Sequence, residues 1–387
     1  MELLNNIQLA YCTNVHRGST WDETFESLEK YVLEVKKLIC PEKRFAIGLR
    51  LGAKAARSLS DLTKINLFKK WLDRNNCYVF TINGFPYGNF HGTRVKEQVY
   101  RPDWTDSNRL AYTIQLFKIL EKLLEKGEEG SVSTLPASFK EFHPSGKIPA
   151  IAFENIVKCA DEIERISKAK KLDLHLGLEP EPLGSFETTA ETITFFNELD
   201  NFSTLSNLKN LIGVNYDCCH LAVEFESAQS GLNKLKEAGI RLSKIHLSSA
   251  LRAKPTDQNK ELLNSFVEDV YLHQVIIGKE NKIIKRYKDL DLALNDQSME
   301  SLGDEWRIHY HVPLHASPCK PLEDTRNQVI DTINWIGNNP GTCRHLEMET
   351  YTWEVLPKEL QSESVVKQVA KEYEWTLQQL KEQGLYN

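Results

Sequence analysis

Acidic residues and histidines recur in this chain at the ends of short β-rich runs. The run DLHLGLE leads into PEP, so Glu179 and Glu181 stand two apart and share one face of an extended segment. The run LIGVNY leads into Asp217, with His220 three residues on, and LSKIHL carries His246. In HLEMETY the same period of two puts His345, Glu347 and Glu349 on one face, and in HYHVPLH it does so for His309 and His311, with His315 nearby. Carboxylates and imidazoles on adjacent strand ends form the donor set that holds Mn, Zn, Fe or Mg with positions left for a substrate. Such an ion polarises a carbonyl or binds vicinal hydroxyls, and a neighbouring carboxylate then moves a proton at the carbon beside that carbonyl. The set read here as metal ligands is Glu179, Asp217, His246 and Glu349, with Glu181 and Glu347 able to replace their neighbours. The His309/His311 pair either supplies a second ion or only makes hydrogen bonds within an insertion. One strand-end carboxylate or imidazole is usually a satisfied or surface residue. Several at successive strand ends resist that explanation, because isolated buried charge is costly.

The elements that must position these residues alternate in type. Seven β-rich runs, at 7–15, 45–51, 78–82, 130–135, 173–179, 211–216 and 242–247, are separated by amphipathic helical stretches. In the first of these, Phe25, Leu28, Val32, Val35 and Leu38 repeat at helical spacing behind Thr20, a plausible N-cap. This rhythm predicts parallel strands with helical crossovers and an α/β class, the (β/α)8 TIM barrel, whose sites gather at the carboxyl ends of the strands. After residue 251 the count falters. Residues 252–305 read as a charged insertion with a hairpin around 272–287, and two more strand candidates follow at 306–313 and 345–351. Nine candidates compete for eight places; 345–351 is taken as the closing strand, with 306–313 flanking the seventh. The stretch 359–382 reads as a charged C-terminal helix, and no linker divides the chain, so one domain over 1–387 is expected.

A long connection after the third run, NGFPYGNFHGTRVKEQVYRPDW, holds Asn83, Tyr87, His91, Arg94, Lys96 and Arg101. It reads as a substrate wall whose basic residues hold an anionic group, or as a solvated lid packed by its aromatics. A net charge of −6 argues against a nucleic-acid partner, and no apolar stretch reaches the ~18 residues of a spanning helix. The first residues carry no signal-peptide pattern, and eight cysteines are scattered without a CxxC pair, so a reduced, cytoplasmic protein acting on a small molecule is expected. Cys218 and Cys219 read as buried small residues rather than nucleophiles.

From the fifth run to the closing one, the pattern resembles the xylose isomerase-like superfamily, which includes tagatose and allulose epimerases and endonuclease IV-type enzymes. The resemblance implies one metal held by Glu179, Asp217, His246 and Glu349, with Glu179 and Glu349 as the proton-transfer pair and His220 near the substrate or a further metal. An endonuclease IV-like hydrolase with several zincs would recruit His91, His220, His309 and His311. More of the chain is similar to the EboE-type metabolite-traffic family, through LAYCTNVH, the loop after the third run, STLP, GLEPEP, YDCCHLAVEFE, IHLSSALR, YLHQV, HVPLH and ETYTWEVLP. That resemblance implies a role beside a UbiA-like prenyltransferase, handling a secondary-metabolite precursor as an enzyme or as a non-catalytic carrier. The run HYHVPLH and the insertion before it depart from the epimerase pattern.

Overall fold

The computed structural model describes residues 1–92, 94–280, 282–298, 303–316, 320–358, 361 and 363–387. Its strands are β1 (Gln8–Cys12), β2 (Phe45–Arg50), β3 (Cys77–Asn83), β4 (Glu129–Thr134), β5 (Asp173–Leu178), β6 (Ile212–Asp217), β7 (Leu242–Leu247), β8 (Ser249–Ala253), β9 (Val275–Lys279), β10 (Lys282–Tyr287), β11 (Glu305–Val312), β12 (Glu323–Asp324) and β13 (His345–Met348). Eight of them close into a parallel barrel in the order β1-β13-β7-β6-β5-β4-β3-β2. The fold is a (β/α)8 barrel with helices between the strands. β2, β6 and β7 are buried along their whole length, as strands packed on both faces must be.

β13 closes the barrel, pairing in parallel with β1 and β7. The 306–313 run becomes β11, which pairs antiparallel with β8 and β9 in a separate five-stranded sheet ordered β10-β9-β11-β8-β12. The strands of this sheet span 249–324, wider than the 252–305 expected for the insertion. β8 leaves β7 across the single residue Ser248, so the sheet grows directly from the carboxyl end of β7. The hairpin around 272–287 is β9–β10.

Thr20 caps the first helix in a capping box with Glu23, and the helical path runs through Trp21–Ser27, a π turn at Leu28–Val32 and Leu33–Ile39. The C-terminal helix is Val365–Glu382, capped by Ser364; residues 359, 360 and 362 of the expected 359–382 helix lie outside the described residues, as does Cys319. The seven described cysteines are unpaired and buried. Among the described residues no helix is long and apolar enough to cross a membrane.

One buried acid on the C-terminal helix yields a stability prediction. Burial pushes the Glu372 carboxyl up to about 7, against hydrogen bonds from Thr350 and Gln368. The folded state thus holds this proton more tightly than the unfolded chain. The contribution is fully present below the ordinary value of 4.5 and is lost as pH rises through about 7. Glu372→Gln keeps an acceptor for Thr350 and removes the titration. Its stability relative to wild type is expected to be about 3 kcal/mol more favourable at pH 8 than at pH 4, the equivalent of the gap between 4.5 and about 7. Denaturant melts at the two pH values read this directly, and equal effects at both would refute it.

Candidate metal centre

β13, β7 and β6 lie side by side, and their register sets Glu347, His246 and Asp217 in one row across the barrel. Glu179 and Glu349 follow β5 and β13 by one residue. Their backbone N–H groups are fastened to the neighbouring strands, Glu179 to the Thr134 carbonyl at 3.0 Å and Glu349 to the Leu247 carbonyl at 3.2 Å. The result is a group of four buried side chains, Glu179, Asp217, His246 and Glu349, whose ligand atoms all lie within 4.8 Å of one another. His246 Nδ1 is 3.2 Å from Glu179 Oε1, 3.4 Å from Asp217 Oδ2 and 3.2 Å from Glu349 Oε2. Donors about 2.1 Å from a tetrahedral ion stand about 3.4 Å apart, so this is ligand spacing. Asp217 Oδ2 is buried without a hydrogen-bond partner. Three buried carboxylates around one imidazole carry excess negative charge that a divalent cation offsets. The residues present fit such an ion.

The other nitrogen of His246 settles which glutamate faces it. Nε2 lies 3.1 Å from Glu347 Oε2, so Glu347 fixes the ring with Nδ1 toward the acids. Glu347 also accepts from Lys244 Nζ at 2.7 Å and from Asn83 Nδ2 at 2.8 Å. Burial alone would raise its carboxyl, but Lys244 and His246 outweigh that and bring it down to about 2. Gly48 makes room for it: a Cβ there would sit 1.7 Å from Glu347 Oε1. Glu347 therefore lies behind His246, and Glu349 stands in the four-residue group. Lys244→Met would leave the buried carboxylate without its cation. It is expected to cost about 3–5 kcal/mol in denaturant melts. The double variant Lys244→Met/Glu347→Leu should recover part of this, and a loss under about 1 kcal/mol for the single variant would show that Lys244 carries little of the balance.

Beside the four-residue group stands a cluster of imidazoles. His220, His309 and His311 rings lie with centroids 4.5, 5.5 and 5.7 Å apart. In each ring Nδ1 faces an oxygen. His220 Nδ1 reaches the Pro180 carbonyl at 3.1 Å, and His311 Nδ1 the Glu349 carbonyl at 2.9 Å. His309 Nδ1 meets Gln274 Oε1 at 2.7 Å, and the Gln274 amide nitrogen is committed to the Pro182 carbonyl. A carbonyl only accepts, so each Nδ1 carries a proton, and Nε2 is the ring atom left to face a ligand. Nε2 of His309 and of His311 is buried without a partner. Burial, with His220 and His311 adding to it, holds His309 well below the usual histidine range and so neutral. Two overlapping groups, Glu181–His220–His309 and Asp217–His220–His311, could hold a second ion, and Asp217 is common to the second of these and to the four-residue site.

Glu179, His246 and Glu349 of the first group and Glu181, His220 and His309 of the second line one pocket. The loop after β3 folds over it: Phe85, Val95, Lys96, Val99 and Tyr100 line the wall, and the N–H groups of Val95 and Lys96 bond the Val270 carbonyl.

No protein-family model and no curated sequence matches this chain. Solved structures match it over nearly its full length. A xylose isomerase-like TIM barrel protein from Mycobacterium smegmatis, in complex with magnesium, superposes with a TM-score of 0.56 at 13% identity, covering 99% of each chain. The IOLI protein with a bound zinc atom superposes with a TM-score of 0.51 at 11% identity, covering 97% of this chain and 99% of that one. The chain shares the TIM-barrel fold of these two structures.

Within this TIM barrel the remaining candidates are distributed unevenly. Asn83, Glu181, His220 and His309 line the pocket. Lys96 lines it too, but its Nζ is held by Asp289 at 2.6 Å and the Glu268 carbonyl at 2.9 Å. His91 sits between the Asn14 carbonyl and the Tyr271 hydroxyl, in a neighbouring cleft, and Arg94 is exposed and outside the pocket lining. Reasoning from sequence missed Asn14, which donates to Glu349 Oε1 at 2.6 Å, and Ser248, which donates to Asp217 Oδ1 at 2.6 Å. It also missed Lys244, though a lysine one pleat before His246 in LSKIHL was a readable signal.

Proposed function

We propose that this protein is a metal-dependent isomerase or epimerase acting on a small polyol or carbonyl compound. The observation that carries the reading is the convergence of Glu179, Asp217, His246 and Glu349 on one point at the barrel mouth. An ion held there, Mn, Zn, Fe or Mg, would polarise a carbonyl oxygen or chelate vicinal hydroxyls. Glu179 and Glu349 then serve as the proton-transfer pair, one taking the proton from the carbon beside the carbonyl and the other returning it. Glu181, His220 and Asn83 bind the substrate's remaining oxygens. The magnesium and zinc of the two structural neighbours are in keeping with such a centre. The test is elemental analysis of protein purified without added metal, followed by deuterium exchange on a panel of ketoses, polyols and small carbonyl compounds. Bound metal and metal-dependent exchange are expected. Metal without exchange on any compound would end the isomerase reading, and protein that binds no metal would end the centre.

A second reading has its own observation, the buried bare Nε2 atoms of His309 and His311. They favour a two-ion centre, as an endonuclease IV-like hydrolase would need. Two metals per chain, falling to one in His309→Asn, together with phosphodiester cleavage would select it over isomerisation.

The EboE-type resemblance supplies a context for either chemistry: a secondary-metabolite precursor in an Ebo-type traffic pathway, shared with a UbiA-like prenyltransferase. A non-catalytic carrier in that pathway would bind the precursor and catalyse no exchange. Co-purification with the prenyltransferase in membranes tests the partnership.

A further inference from the structure

We infer that the substrate of this pocket is a neutral molecule with an oxygen-bearing head and an apolar, ring-sized body, rather than a sugar phosphate. The head rests on the metal-centre reading above; the body does not. The barrel floor is polar, with Asn83, Ser133, Glu179, His246 and Glu349 at strand ends. Segments outside the barrel strands add an apolar wall of Phe85, Phe90, Val99, Tyr100, Tyr271 and Tyr351, beside the polar Lys96, Gln274 and His309. Three of its rings, Phe90, Tyr271 and Tyr351, pack on one another with centroids 5.1–5.3 Å apart. The wall is also fastened to the floor. The Tyr271 hydroxyl meets His91 Nδ1 at 2.5 Å, His91 Nε2 meets the Asn14 carbonyl at 2.7 Å, and Asn14 Nδ2 donates to Glu349 at 2.6 Å. An apolar wall is thus held at a set height above the carboxylates, and its Tyr271 hydroxyl is already engaged.

Charge argues the same way. Among the described lining residues Lys96 is the one permanent cation, and Asp289 and the Glu268 carbonyl already occupy it, with 9% of its side chain exposed. Arg50 lies outside the lining, with its guanidinium on the Gly18 and Gly88 carbonyls. With the head on the metal centre, a phosphate on the rest of the molecule would meet no free cationic side chain among the described lining residues and would lie near Glu181. A ring would instead cover wall that water otherwise wets.

Three probes sharing an α-hydroxyketone head separate the classes: α-hydroxyacetophenone, dihydroxyacetone and dihydroxyacetone phosphate. Calorimetric titration of the metal-loaded full chain should show the aryl ketone binding at least about tenfold more tightly than dihydroxyacetone, and the phosphate no more tightly than dihydroxyacetone. Val99→Lys, at a half-buried wall position, should bring aryl ketone and phosphate to near parity. Tighter binding of the phosphate by wild type, equal binding of the two neutral probes, or no aryl binding at millimolar concentration would each overturn the inference. Elemental analysis of the same samples keeps the two readings apart. Protein that holds no metal yet prefers the aryl ketone would end the metal centre and keep the apolar body. Protein that holds metal and prefers the phosphate would do the reverse.

Discussion

Asp217→Asn should weaken metal binding at both clusters at once, by at least about 100-fold, while leaving the fold in place. Asp217 belongs to the four-residue group and to the Asp217–His220–His311 group, so its loss is felt in each. Its two oxygens have separate duties. Oδ1 accepts from Ser248 Oγ at 2.6 Å and from the His220 N–H at 3.0 Å, the latter capping the short helix Cys218–Val223. Oδ2 is buried without a hydrogen-bond partner and lies 3.4 Å from His246 Nδ1. Asparagine caps a helix as well as aspartate, so the Oδ1 duty survives the substitution. A neutral amide in place of Oδ2 is a poor ligand, and one negative charge disappears from the site. Elemental analysis after dialysis should find wild type loaded and Asp217→Asn nearly bare, with metal-free melting within about 1 kcal/mol of metal-free wild type. His309→Asn, by contrast, should remove at most the second ion. Full occupancy in Asp217→Asn would take Asp217 out of the ligand set.

The barrel was legible because parallel strands buried on both faces read as apolar runs between amphipathic helices, and because the site residues fall where those runs end. What period-two reasoning cannot separate is residues on the same face of one strand. Glu347 and Glu349 are equivalent by that measure, and it is Lys244 and Asn83, from neighbouring strands of the closed barrel, that hold Glu347 at the back of His246. Asn14 was invisible for a different reason. It lies 335 residues from Glu349 and reaches it because β1 and β13 become neighbours when the barrel closes. β8 was hidden in the continuous run KIHLSSALRA, since the turn away from the barrel at Ser248 uses no glycine or proline. Composition alone cannot say where the charge of a basic loop residue goes: Lys96 lines the pocket, but its Nζ is paired with Asp289, a residue 193 positions away.

Glu349→Gln should separate proton transfer from metal binding. At saturating metal it is expected to slow exchange of the substrate's carbon-bound hydrogen by about 10²–10⁴-fold, since a glutamine cannot accept that proton even with the ion restored. Glu179→Gln should behave alike if the two act as a pair. Geometry distinguishes their supports. Glu349 Oε1 accepts from Asn14 Nδ2 at 2.6 Å, and its Oε2 lies 3.2 Å from His246 Nδ1, so one oxygen is anchored while the other faces the ligand set. Asn14→Ala removes that anchor and leaves the carboxylate. It should therefore keep its metal and lose only about tenfold in exchange, the scale of a positioning effect rather than of a missing base. The comparison is made by mass spectrometry in D₂O on whichever compound the wild type exchanges, at metal concentrations that saturate each variant. Wild-type exchange in Glu349→Gln would exclude Glu349 as a proton carrier. An Asn14→Ala loss as deep as that of Glu349→Gln would mean that the carboxylate works only when Asn14 holds it, making the hydrogen bond from β1's end as necessary to the chemistry as the acid it orients.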